Sequence, residues 1–173
     1  AVWLIFLLPM GSFLAISLVI RPFFNRYAKS AGALTVLTVA LGFALSLWAL
    51  QSVVREGSVS EGWEPLSWLQ VGDISFTVGI LLDPLSAIML VVVTGVSLMV
   101  QIYSTGYMRG DPGYARYFAF MSLFTASMVG LVISSNIVQL YVFWELVGLC
   151  SYLLIGFWYH RPAAAAAAKK AFI

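Results

Sequence analysis

Glu145 is the residue best suited to chemistry, because it is the only charged side chain in the long apolar stretch of residues 117–159. A carboxylate inside a membrane is energetically costly, so such residues mark ion or proton paths by default. In a helix, Tyr141, Gly148 and Tyr152 lie on the same face as Glu145. One carboxyl and two phenols on a single stripe, beside a glycine that leaves room for water, are typical of a proton relay. We therefore predict that Glu145 is the relay residue and that Tyr141 and Tyr152 support it.

A structural role is the alternative for the same residue. A protonated Glu145 that is hydrogen-bonded to a neighbouring helix would stabilise a helix bundle without moving protons. His160 and Lys170 are further candidates for support, the first as a proton entry point and the second as the partner of a buried acid. Their ordinary roles are interfacial, because a histidine is favoured at a helix C-terminus and a lysine extends towards the lipid headgroups.

The sequence contains no motif that would hold a redox cofactor or a metal. Glycine-rich dinucleotide motifs and a P-loop are absent, and there is only one cysteine and one histidine. The single cysteine, Cys150, excludes an intrachain disulfide and a cysteine-based metal site. We predict that the chain itself binds no cofactor.

The composition is that of a membrane protein. Of the 173 residues, 62% are hydrophobic, 15% are aromatic and only 9% are charged. Soluble domains have about 25% charged residues, so a soluble globular protein is excluded. The net charge of +2 is too small to indicate a nucleic-acid partner. The expected surroundings are the lipid bilayer.

The uncharged stretches predict five membrane-spanning helices and the start of a sixth. A helix crosses the hydrocarbon core with about 17–25 apolar residues, and the stretch of residues 117–159 is too long to cross once. We therefore place a turn at Ser134-Ser135-Asn136, a cluster of turn-forming residues. The predicted spans are residues 2–20, 31–54, 84–106, 117–133 and 137–159, and the sixth helix starts over residues 163–173.

The connection over residues 55–83 is the one sizeable loop. It contains two short β-prone runs joined by Gly72-Asp73, a dipeptide typical of a tight hairpin turn. We predict an extracytoplasmic β-hairpin in an otherwise all-α, polytopic protein that forms a single membrane domain.

The basic residues predict the orientation. Eight of the nine Lys and Arg residues lie within residues 21–29, 109–116 and 161–170, whereas Arg55 shares the loop of residues 55–83 with five acidic residues. By the positive-inside rule, the three basic segments face the cytoplasm or its equivalent, and the N-terminus lies on the extracytoplasmic side.

Several motifs resemble one family. The strongest is Trp144-Glu145-Leu146-Val147-Gly148-Leu149-Cys150-Ser151-Tyr152-Leu153-Leu154-Ile155-Gly156, and the others are Leu82-Asp83-Pro84-Leu85-Ser86, Asp111-Pro112-Gly113-Tyr114 and Lys170-Ala171-Phe172-Ile173. They are similar to motifs of the largest antiporter-like subunit of the proton-pumping NAD(P)H:quinone oxidoreductases. That subunit is called chain 5 or subunit L in complex I, and the photosynthetic NDH-1 complex has its counterpart. The resemblance is strong over residues 80–173 and rests on hydropathy alone in the first two spans.

This resemblance implies a membrane-arm subunit of an enzyme complex that couples electron transfer in other subunits to proton translocation. Glu145 would correspond to the membrane-embedded glutamate of the family, which is coupled there to a lysine on a later helix. Flavin, iron–sulfur clusters and quinone would be bound by partner subunits of the peripheral and membrane arms. A bacterial inner membrane is the expected location, and a thylakoid membrane is the alternative.

Two other functions remain open at this point. The superfamily also includes subunits of multisubunit Na⁺/H⁺ antiporters, which exchange ions without a redox partner. The other possibility is a non-catalytic membrane scaffold in which Glu145 only joins helices.

Overall fold

The computed structural model describes residues 2–20, 28–56, 66–71 and 74–172, and these form a bundle of antiparallel helices. Helix α1 continues directly into a short π-helical segment, and the first inter-span loop lies outside the described residues. The elements in chain order are α1 (Val2–Ala15), the π-helical segment (Ile16–Ile20), α2 (Ala28–Glu56), β1 (Leu66–Val71), β2 (Ile74–Val78), α3 (Pro84–Tyr107), α4 (Tyr114–Val132), α5 (Ile137–Ile155) and α6 (Pro162–Phe172).

Among the residues that the structure describes, five helices are long and apolar enough to cross a membrane, which confirms the predicted all-α, polytopic architecture. They cover Val2–Ile20, Ser30–Arg55, Pro84–Tyr107, Tyr114–Val132 and Ile137–Ile155. Helix α6 follows with 11 described residues, up to Phe172. The chain is therefore a multi-pass membrane protein.

Helix α4 is the centre of the bundle. It packs against α1, α2, α3 and α5, and most of its side chains are buried. Near its N-terminal end, Phe118 packs with Ile16 and Ala31, and near its C-terminal end, Val129 packs with Ile5 and Leu90. Small buried residues such as Ala119, Ser122 and Ala126 line the middle of the helix, and small side chains allow membrane helices to approach closely.

The two β-prone runs of the loop form a strand pair. Strand β1 pairs antiparallel with β2, with Val71 opposite Ile74 and Leu66 opposite Val78. Residues 72–73, which would form the turn, lie outside the described part of the chain. The position of this loop on the extracytoplasmic side stays a prediction.

Helix α5 is shorter than the predicted span of residues 137–159, because it ends at Ile155. The chain then turns at Gly156, whose N–H still donates to the carbonyl of Tyr152 at 2.9 Å. A Cβ atom at Gly156 would lie 3.1 Å from the Cβ of Ala168, so a glycine lets the next helix pack closely here. Phe157 follows and is buried, which keeps the turn against the bundle.

Candidate functional site: the Glu145 face of helix α5

The start of α5 is fixed by two amide side chains. Asn136 caps the helix, because its Oδ1 accepts a hydrogen bond from the backbone N–H of Gln139 at 2.8 Å, and its Nδ2 donates to the carbonyl of Thr77 at 2.6 Å. Gln139 is buried and forms two hydrogen bonds with the backbone of Gly79. The segment before α3 and the first turn of α5 are therefore joined by polar contacts on one side of the bundle.

The opposite face of α5 from Glu145 packs on α4. Phe143 lies so close to Gly130 that a Cβ atom there would be 2.5 Å from its ring. Cys150 is fully buried, and its Sγ lies 3.9 Å from the Oγ of Ser127. This packed face determines which way Glu145 points.

Glu145 itself is exposed in the structure, as are Tyr141 and Tyr152. Tyr141 and Glu145 lie one helical turn apart on this face, so the phenol hydroxyl and the carboxylate interact electrostatically. Gly148 is half-buried, and no heavy atom outside its own helix lies within 4 Å of the position that a Cβ atom would take there. The described helices leave this face uncovered.

Tyr152 is the member of the stripe that contacts another helix. Its ring lies 5.5 Å from that of Phe172 on α6, and it lines a cavity of about 290 Å³ between α4, α5 and α6. Arg116 and Lys169 also line this cavity. The structure thus places two cationic groups beside one end of the stripe.

Arg116 is a residue that the sequence interpretation missed. Its Nη2 donates to the carbonyl of Phe157 at 3.1 Å, and its guanidinium lies 4.7 Å from the ring centroid of Phe157 and 5.7 Å from that of Tyr159. It therefore anchors the end of α5 to the start of α4. The signal in the sequence was a basic residue next to a span that begins with aromatic residues, a pattern that equally fits a simple interfacial charge.

The other two candidates lie away from Glu145 along the chain. His160 is exposed after the end of α5, and its ring centroid lies 3.9 Å from that of Tyr159. Lys170 is exposed on α6. The structure gives neither residue a described contact with the carboxylate, so their supporting roles stay predictions.

Asp83 has the capping geometry that its position before Pro84 predicts. Its Oδ1 accepts a hydrogen bond from the backbone N–H of Ser86 at 2.6 Å. That hydrogen bond, with a smaller contribution from the Ser86 side chain, holds the pKa of Asp83 below its ordinary value. Within the described ranges, no group of three or more His, Cys, Asp or Glu residues could hold a metal ion.

Two family models match the chain. Residues 68–118 match the model described as NADH-ubiquinone oxidoreductase (complex I), chain 5 N-terminus. Residues 134–173, which include Glu145, match the model described as NADH:quinone oxidoreductase/Mrp antiporter, TM.

Curated relatives are similar over nearly the whole chain. It is 45% identical over 176 residues to NAD(P)H-quinone oxidoreductase subunit 5, chloroplastic, of Anthoceros angustus, covering 99% of the chain and 24% of the relative. It is 46% identical over 174 residues to NAD(P)H-quinone oxidoreductase chain 5 of Picosynechococcus, covering 99% of the chain and 26% of the relative. The chain therefore spans about a quarter of the length of these relatives.

A solved structure has the same fold. The structure of the membrane-bound sulfane sulfur reductase, an archaeal respiratory membrane complex, contains a chain that aligns with a TM-score of 0.78. The alignment covers 98% of the chain and 33% of that structure's chain at 19% sequence identity. At this identity the likeness concerns the fold alone.

The bundle, its intramembrane carboxyl and these matches together define an antiporter-like membrane subunit. Within that class, the model that matches residues 68–118 and the relatives indicate chain 5, whereas the model that matches residues 134–173 also describes Mrp antiporters. The chain belongs to the chain 5 family of the NAD(P)H:quinone oxidoreductases.

Proposed function

We propose that this chain belongs to the proton-translocating part of a membrane-bound NAD(P)H:quinone oxidoreductase, and that Glu145 is one of its proton-carrying groups. The observation that carries the proposal is the position of Tyr141 and Glu145, one helical turn apart on the exposed, uncovered face of α5. A charged group within the hydrocarbon region is unfavourable unless a protein neighbour or water solvates it. We expect other parts of the full-length subunit to pack over this face.

The stripe provides the groups that a relay requires. The carboxyl of Glu145 can bind and release a proton, and the phenol of Tyr141 can donate a hydrogen bond to its charged form. Burial by a covering helix would favour the neutral carboxyl, whereas an ammonium group brought close to it would favour the charged form. A cation that moves towards and away from Glu145 would therefore load and unload the proton.

Electron transfer would take place in other subunits of the complex. Flavin, iron–sulfur clusters and quinone would be held by peripheral and membrane-arm partners, and this chain would contribute to the membrane arm. We place the complex in an energy-transducing membrane, either a bacterial inner membrane or a thylakoid, with the N-terminus of this chain on the extracytoplasmic side.

A cation/proton antiporter subunit is the second candidate function, because the model that matches residues 134–173 describes both kinds of protein. Purification of the full-length subunit distinguishes the two. Co-purification with subunits that carry flavin and iron–sulfur clusters supports the oxidoreductase, whereas co-purification with small antiporter subunits and sodium-dependent exchange would contradict it.

The role of Glu145 is tested by three substitutions in the full-length subunit within its complex. Glu145→Gln keeps the shape but removes the titratable proton, so proton pumping should fall sharply while the complex still assembles. Glu145→Asp keeps the proton but withdraws the carboxyl by one methylene, so partial pumping is expected. If Glu145 only joined helices, Gln would pump normally and Ala would be the damaging change, through lost assembly.

A matched pair of tyrosine variants tests the support of Glu145. Tyr141→Phe removes the hydroxyl that lies beside Glu145, and it should lower the pumping rate and shift its pH dependence. Tyr103→Phe is the control, because Tyr103 is an exposed tyrosine on α3 that stacks on Tyr107. If both substitutions changed the pumping rate and its pH dependence equally, the result would contradict a role of Tyr141 in the relay.

A further inference from the structure

A set of largely buried polar side chains lies on α3, away from the Glu145 face. Thr94, Ser97, Gln101 and Ser104 are spaced three, four and three residues apart, so they share one face of the helix. We call them the polar column of α3. Thr94, Gln101 and Ser104 are at most 2% exposed, although the helix crosses the membrane.

The polar column of α3 forms hydrogen bonds with the helices on both of its sides. The Oγ1 of Thr94 lies 2.8 Å from the Oγ of Ser46 on α2. On α4, the Oγ1 of Thr125 lies 2.5 Å from the Oγ of Ser97, and the hydroxyl of Tyr117 lies 3.1 Å from the Oγ of Ser104. The column is therefore a polar seam between three helices.

Gln101 is the member of the column whose hydrogen bonds are incomplete. Its Nε2 donates to Ser97 and to Thr125, each at 3.3 Å. Its Oε1 is buried and has no hydrogen-bond partner among the described atoms. A buried carbonyl oxygen without a donor is unfavourable, and such groups in membrane proteins are normally satisfied.

The neighbouring hydroxyl hydrogens are already used. Thr125 donates to the carbonyl of Met121 at 2.9 Å, so Ser97 donates to Thr125 in the short contact between them. Ser104 donates to the carbonyl of Val100 at 2.7 Å, so Tyr117 donates to Ser104. None of these hydroxyls has a second hydrogen to give to Oε1.

Reversing the side-chain amide does not solve the problem. If the oxygen of Gln101 were placed against Ser97 and Thr125, the NH₂ group would take the position that has no partner. In either orientation one end of a fully buried amide lacks a protein partner. A water molecule can serve either end, because it both donates and accepts.

A lipid acyl chain cannot supply the missing hydrogen bond to Oε1 of Gln101. The groove between α3 and α4, with a volume of about 340 Å³, reaches Ser97 and Thr125 but is otherwise lined by valine, methionine and phenylalanine side chains. Such a groove suits an acyl chain, which has no hydrogen-bond donor. Gln101 is not part of its lining.

We propose that Gln101 is a binding site for a buried water molecule at the interface of α3 and α4. The water donates one hydrogen bond to Oε1 of Gln101. Ser104, three residues later on the same face, retains an acceptor position for the second hydrogen, since it accepts only from Tyr117. The water completes the polar seam and holds α3 and α4 in register, independently of the relay proposed at Glu145.

High-resolution electron cryomicroscopy of the intact complex tests this site. In the wild-type complex we expect a separate density peak at about 2.6–3.2 Å from the Gln101 amide. The peak should disappear in Gln101→Leu and persist in Gln51→Leu, a matched control on the exposed surface of α2.

The wild-type map decides the proposal even if Gln101→Leu fails to assemble. A direct protein donor on the amide, or no density at Gln101 in a map that shows other buried waters, would overturn it. Persistence of the same peak in an assembled Gln101→Leu complex would also contradict the assignment to this amide. The pumping activity of Glu145 variants does not affect this result. The water at Gln101 is detected in the density map, whereas the relay at Glu145 is tested by proton pumping.

Discussion

Gln139 and Gly79 exchange two hydrogen bonds across 60 positions of sequence: the N–H of Gly79 donates to Oε1 at 3.2 Å, and Nε2 donates to the carbonyl of Gly79 at 3.1 Å. The side chain thus pairs with the backbone as a neighbouring strand would. Leu81 continues the connection, because its N–H donates to the carbonyl of Ile133 at 3.0 Å. These bonds fix where α5 begins, and therefore the position of Glu145 along the bundle.

Gln139→Leu should destabilise the subunit. It leaves both polar groups of the buried Gly79 backbone without partners, at a cost of about 1–3 kcal/mol for each unsatisfied group. A lower thermal midpoint and a lower yield of the assembled complex are the expected measurements. Gln51→Leu on the exposed face of α2 serves as the control and should change neither. Equal stability of the two variants would show that the Gln139 contact carries no net energy.

Gly130→Ala should disrupt the packing of α4 on α5. The added Cβ would lie 2.5–2.7 Å from three ring atoms of Phe143, so the ring or the helix must move, and overpacking typically costs about 1–3 kcal/mol. Gly106→Ala, in a position with no heavy atom within 4 Å, is the matched control. We expect a lower thermal midpoint only for the first variant, and a Gly130→Ala protein as stable as Gly106→Ala would contradict the close packing.

The cap at Asp83 predicts a pH-dependent contribution to stability. Because the pKa of Asp83 is lower in the folded protein than in the unfolded chain, the charged cap stabilises α3 above the unfolded value of about 3.9. That contribution is lost as the pH falls through the lower, folded pKa. Thermal midpoints of the wild type and Asp83→Asn between pH 3 and 7 should therefore differ most at neutral pH and converge in acid. A constant difference would exclude titration of Asp83 as its cause.

The number of spans was predictable from the sequence, since uncharged stretches of sufficient length have few alternatives in a protein this apolar. The break at Ser134-Ser135-Asn136 was predictable as well, because a bilayer could not accommodate all of residues 117–159 in one helix. The early end of α5 at Ile155 was not predictable from the sequence. It depends on contacts of Arg116 and Ala168 with the turn that follows, and both residues are distant in the sequence.

The polar contacts inside the bundle could not be predicted from the sequence either. Glu145 stands out because a charge in an apolar stretch is rare. Gln101 and Gln139 are uncharged and therefore resemble any polar residue in a span. Their importance follows from burial and from the identity of the partner groups, which only the packing of α3, α4 and α5 determines.

The orientation of the chain leads to the last prediction. The hydrogen bond from Leu81 to Ile133 places the start of α3 and the end of α4 at one end of the bundle, and the positive-inside rule assigns that end to the extracytoplasmic side. Ser135 is exposed at this end, and Pro112 is exposed at the other. Cys150 is buried, so it should give little background in thiol labelling. In sealed vesicles of known sidedness, a membrane-impermeant maleimide should label Ser135→Cys from the extracytoplasmic side and Pro112→Cys only from the opposite side. Labelling of both positions from the same side would contradict the fold, whereas the reverse pattern would leave the fold intact and contradict the orientation.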